Sequence, residues 1–166
     1  MIIDFVGKFY DNHSLSIINR NLVIQLTTIY PDWEISITPL DSYDPEYKID
    51  KDIIKQLKVL EKAETSEPDI QIRHSYPPIW QWPASDRTKV VYIQPWEYTK
   101  VPFEWQYKFE TFADALIVPS NYVAKVFANG GLKPEKLFVV ANGYNKELFN
   151  TNDDNSDSKY VNKDSF

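Results

Sequence analysis

The sequence predicts an α/β domain built on a mostly parallel β-sheet with helices on both faces, and three observations carry that prediction. Short runs such as residues 89–93 (Lys-Val-Val-Tyr-Ile) and 115–118 (Ala-Leu-Ile-Val) are almost continuously apolar, as strands covered on both sides are. The segments between them place apolar residues at steps of three and four, the spacing of one helix face. A chain of 166 residues, 43% hydrophobic and 15% aromatic, also suffices for one domain with a substantial core.

The first strand is Ile2 to Val6, ended by Gly7 where the backbone turns. Ser14 is placed to cap a helix whose apolar stripe is Leu15, Ile18, Leu22, Leu26 and Ile29, stopped by Pro31. Residues 33–38 alternate like a strand, and Ile53, Leu57 and Leu60 mark a helix between Asp50 and Ala63. A third strand, 69–73, runs into His74-Ser-Tyr-Pro-Pro-Ile-Trp-Gln-Trp-Pro83, which its prolines keep from being helical. The strand 89–93 stops at Gln94-Pro95. A helix begins after Pro102 with Trp105, Phe109 and Phe112 on one side. The strand 115–118 leads to Ser120, the N-cap of a helix carrying Val123, Val126 and Phe127 and closed by Gly130-Gly131. The last strand is 137–141, from which Asn142-Gly143 turns away. The domain therefore occupies 1–149, and 150–166, rich in Asn, Asp and Ser, reads as a polar linker.

Composition excludes several functions. With 18 Lys and Arg against 24 Asp and Glu the net charge is −6, which leaves no basic stripe for a phosphate backbone, so nucleic acid is not an expected partner. The absence of Cys removes disulfides, thiolate nucleophiles and Cys-ligated zinc, and two His cannot build a His-rich metal cage, so metal chemistry would have to rest on oxygen ligands, and no metal-ligating residue is singled out. No apolar run reaches the roughly 20 residues of a membrane span, and the N-terminus lacks the flanks of a signal peptide. The expected setting is the cytoplasm, with peripheral attachment to a membrane left open. Only the stretch from Arg87 to Phe149 has a mild positive surplus, suited to a phosphate-bearing ligand nearby.

In a parallel α/β sheet, ligands bind beyond the carboxyl ends of the strands, where loops converge and helix N-termini point. The loops concerned hold Gly7, Asn12 and His13; Arg73 and His74; Gln94, Trp96, Glu97 and Tyr98; Ser120; and Asn142 with Gly143. Amides, carboxylates and aromatic rings in this combination suit a sugar or nucleotide-sugar, whose hydroxyls accept and donate hydrogen bonds and whose apolar faces stack on rings. Each group has a structural alternative. Tryptophans and prolines also stiffen a long loop, His74 also serves as a hydrogen-bonded strand end, and Glu97 also suits an ion pair. Gly7 alone is not a dinucleotide fingerprint.

The run Gln94-Pro-Trp-Glu97, Pro102, Trp105, Asp114-Ala-Leu-Ile-Val-Pro-Ser120, Gly130-Gly131 and Val139-Val-Ala-Asn-Gly143 resembles the N-terminal half of group-1 glycosyltransferases, as does Arg73-His74 with Pro77-Pro78. The likeness extends from Ile72 to Phe149 in order and spacing. It implies a GT-B enzyme with two Rossmann-like domains, this one on the acceptor side. It further implies a retaining, metal-independent hexosyltransferase with a nucleotide-sugar as co-substrate, no other cofactor, and a carbohydrate or lipid-linked acceptor. Glu97 and His74 are the expected catalytic residues, and the other loop residues named above the expected substrate contacts. The chain departs from the family pattern at Val140-Ala141, at Tyr144-Asn145 and at Gln94, where many relatives carry His. Only 17 residues follow Phe149, so the resemblance also implies a donor-binding C-terminal domain beyond this sequence, without which 1–166 would be inactive. The alternative is a non-catalytic module that binds a glycan or a protein partner.

Overall fold

The computed structural model describes residues 1–61 and 67–144. Its elements are β1 (Ile2–Gly7), α1 (Ser14–Ile29), β2 (Glu34–Pro39), α2 (Lys51–Glu61), β3 (Ile70–His74), β4 (Lys89–Ile93), α3 (Phe103–Phe112), β5 (Ala115–Val118), α4 (Asn121–Asn129) and β6 (Leu137–Val139). The six strands form one sheet in the order β2-β1-β3-β4-β5-β6, and every pairing is parallel. This is a Rossmann-like α/β architecture. The expected domain end at Phe149 and the expected linker 150–166 lie outside the described residues.

Side chains alternate across a strand, and the register turns that alternation into two cores. Ile3 and Phe5 lie beside Ile35 and Ile37 on one side and Ile70 and Ile72 on the other. With Val23 of α1 and Leu57 of α2 they form the first core. Val90, Tyr92, Leu116 and Val118 share the opposite face, because Val91, not Tyr92, is in register with Ile72. They pack on Phe109 of α3 and on Val123, Val126 and Phe127 of α4. Helices therefore cover both faces, each over a different half of the sheet.

Three expectations are corrected. The N-cap position of α1 is His13, with no side-chain cap bond, and Ser14 is the first helical residue. The fully buried residues of α1 are Ser16, Asn19, Arg20 and Val23, whereas Leu15, Ile18, Leu22 and Leu26 are half-buried and Ile29 is exposed. The cause is that this side of α1 carries the hydrogen bonds that hold the neighbouring loop. The last strand ends at Val139 and not at Ala141, and Val140 and Ala141 are exposed.

Candidate functional site

Because all strands are parallel, the loops that follow them meet at one edge, and Gly7, His74, Gln94, Ser120 and Asn142 all stand there. Within that edge the chain changes direction between β1 and β3: β1 connects to β2 on one side, while the later strands add outward from β3 on the other. Crevices open at such switch points. A cavity of about 300 Å³ lies there, lined by Lys8, His13, Ser14, Leu15, His74, Ser75 and Tyr76.

Its walls are held by buried polar groups. The loop between β1 and α1 is clamped by Asp41, which accepts from the Phe9 and Tyr10 amides at 2.8 Å each. On the other side Arg20 Nη1 donates to the Phe9 and Asp11 carbonyls at 2.7 and 2.6 Å. Burial by itself would raise the Asp11 carboxyl, but hydrogen bonds from Ser16, the His13 amide and Lys8 hold it below its ordinary range. His74 ends β3 and is 1% exposed. Its Nδ1 lies 2.6 Å from Asn19 Oδ1, and its Nε2 meets no protein partner. Burial lowers the imidazole from 6.5 to about 4, so the ring is neutral at pH 7.

The other expected site residues are distributed along the same edge. Arg73 is committed elsewhere: it points to the opposite face from His74, and its guanidinium donates to Gln71 Oε1, to the Ile79 and Gln81 carbonyls and to Tyr92 Oη. It fastens the proline-rich loop to the sheet, which leaves it no role in the cavity wall. Gln94 is buried and donates to the Pro95 carbonyl. Trp96 is half-buried, stacks near Tyr98 and Trp105 at ring distances of 5.3 and 5.0 Å, and donates to the Lys100 carbonyl. Tyr98 and Glu97 are exposed, and Glu97 has no hydrogen bond or ion pair among the described residues. Ser120 caps α4, its Oγ accepting from the Val123 amide. Asn12 donates to the Tyr47 carbonyl, and Asn142 and Gly143 are exposed. The structure thus brings His13 and His74 into one cavity with Gly7 behind them, and sets Glu97, Trp96 and Tyr98 on the next loop.

Lys8, Ser75 and Tyr76 belong to the strand-end loops expected to hold the site but were not singled out within them; Asn19 was not expected there at all. Asn19 lies within a helix and meets a strand end 55 residues away, and nothing local marks it.

No protein-family model and no curated protein matches the sequence. Solved structures do match. HepE (Alr3699) of Anabaena, crystallised with UDP, is 15% identical with a TM-score of 0.52, over 89% of this chain and 46% of that one. The lipopolysaccharide outer core galactosyltransferase WaaB, in its apo form, is 13% identical with a TM-score of 0.50, over 87% of this chain and 46% of that one. The chain shares its Rossmann-like α/β fold with about half of each of these structures. The chain spans about half the length of these solved structures. Within this domain, the cavity at the switch point is where loops, a helix N-terminus and the buried His74 come together. Among the described residues no helix is long and apolar enough to cross a membrane, and no three His, Asp or Glu side chains converge as a metal site would require.

Proposed function

We propose that the chain is the acceptor-side domain of a glycosyltransferase that moves a hexosyl group from a nucleotide-sugar to a carbohydrate or lipid-linked acceptor, with retention and without a metal ion. The cavity at the switch point carries this reading. Ser14, Ser75, Lys8 and the amides that open α1 offer donors, and the Tyr76 ring offers a face for a sugar. The UDP-bound HepE structure, half of which shares this fold, supports a nucleotide-sugar as the donor. Glu97, carboxylate free among the described residues, is the group on the adjoining loop able to accept a proton or hold a hydroxyl.

In this reading the second domain binds the nucleotide, and closure brings acceptor hydroxyl and donor carbon into register while excluding water. Dipoles and amides then stabilise the charge developing on the leaving diphosphate. The reading is tested by assaying residues 1–166 and the gene product at its natural length with radiolabelled nucleotide-sugars. Transfer by the latter alone is expected. Robust transfer by 1–166 would overturn the two-domain reading, and no transfer by the natural-length product from any of the common nucleotide-sugars would overturn the transferase reading.

A further inference from the structure

The Asn19 amide cannot be turned round. Its Nδ2 donates to two backbone carbonyls, those of Lys8 at 3.0 Å and His74 at 3.2 Å. Exchanging nitrogen and oxygen would put an oxygen against both carbonyl oxygens. Oδ1 is therefore the atom that faces His74 Nδ1 at 2.6 Å, and an oxygen at that distance requires a proton on Nδ1. A neutral imidazole has one N–H, so Nε2 is left as a bare acceptor.

Gly7 makes the arrangement possible. A Cβ there would stand 2.6 Å from both Asn19 Nδ2 and the His74 carbonyl, so only glycine lets the helix amide reach across the end of β1 to β3.

We propose that Asn19, seated by Gly7, is a positioning residue that fixes His74 as its Nδ1–H tautomer and leaves Nε2 as a buried acceptor with no protein partner.

Long-range nitrogen–proton NMR of the 166-residue chain at pH 7 tests the assignment, with a His13→Gln variant assigning the two rings. The expected His74 pattern is a protonated Nδ1 and an unprotonated Nε2. In Gly7→Ala, with Asn19 displaced, the ring should change to a mixture of tautomers while the far-ultraviolet circular dichroism stays unchanged. If that variant does not fold, the wild-type spectrum decides alone: an Nε2–H ring, or a doubly protonated one, overturns the assignment. Failure of the tautomer leaves the transferase reading standing, and absence of glycosyl transfer with the Nδ1–H tautomer intact sinks only that reading.

Discussion

Arg73 and His74 are neighbours with opposite duties because consecutive residues of β3 face opposite sides of the sheet. Arg73 on one face joins Gln71, two loop carbonyls and Tyr92 into a buried network. Arg73→Met would strand those acceptors without donors, and a loss of about 3–5 kcal/mol in urea denaturation is expected. Wild-type stability in that variant would show that the proline-rich loop holds itself. His74 on the other face is buried and neutral, which sets a sign for pH. Its folded pKa of about 4 lies below the 6.5 of the free side chain. Between those values the unfolded chain takes up a proton that the folded chain refuses, so stability falls as pH falls, by up to about 3 kcal/mol near pH 4. Above pH 6.5 this contribution is complete and flat. Paired urea titrations at pH 7 and pH 4.5 should therefore show a larger acid loss in wild type than in His74→Gln, and equal losses would refute the buried neutral imidazole. Glu97 differs from both, being exposed and unpaired. Glu97→Gln should leave melting unchanged and, on the proposed transferase reading, lower turnover by roughly 10²-fold if the carboxylate handles a proton; unchanged kinetics would reduce it to a surface group.

At the scale of elements, what was legible in the sequence was what local chemistry decides. Ser120 was readable as a cap because a hydroxyl before Val123, Val126 and Phe127 needs no distant partner, and its Oγ does accept from the Val123 amide. Lys89–Ile93 and Ala115–Val118 were readable because their apolar content alone demands burial on both sides. The orientation of α1 was not readable. Its apolar stripe is only half-buried, while Ser16, Asn19 and Arg20 turn inward to meet Asp11, the Phe9 carbonyl and His74, partners set by topology and not by helical period. The candidate site was hidden in the same way: His74 could be named from its place after a strand, but the Asn19 that orients it could not. A pair of substitutions separates the two serines once read as equivalent. Ser120→Ala should cost about 1 kcal/mol of stability through loss of the cap. Ser14→Ala, exposed and one position inside its helix, should fall within about 0.5 kcal/mol of wild type. A larger cost at Ser14 than at Ser120 would contradict the boundary of α1.

For the molecule as a whole, the two cores lie on opposite faces and share only the sheet. The quarter opposite the first core is polar, with Asp4 accepting from Ser36, Thr38 and Gln71. The quarter opposite the second holds Val91, Ile93 and Ile117, half-buried, and Phe138, 51% exposed. Such a division could give two independently melting halves. The pairing argues otherwise, because β3 bonds to β1 on one side and to β4 on the other, so neither half can lose its strands without exposing the ladder of the other. The tryptophans make this measurable. Trp80, Trp96 and Trp105 pack on the second core and Trp82 stacks on Phe112 beside it, while Trp33 packs on the first. A Trp33→Phe background therefore leaves fluorescence reporting on one half only. Leu57→Ala, at a fully buried position in the other half, should then cost about 2–5 kcal/mol. If the sheet couples the cores, tryptophan fluorescence and circular dichroism shift to the same lower urea midpoint. A fluorescence midpoint that ignores Leu57→Ala while the dichroism splits into two steps would mean that each core unfolds alone, and that the switch-point cavity can open without disturbing the aromatic half of the domain.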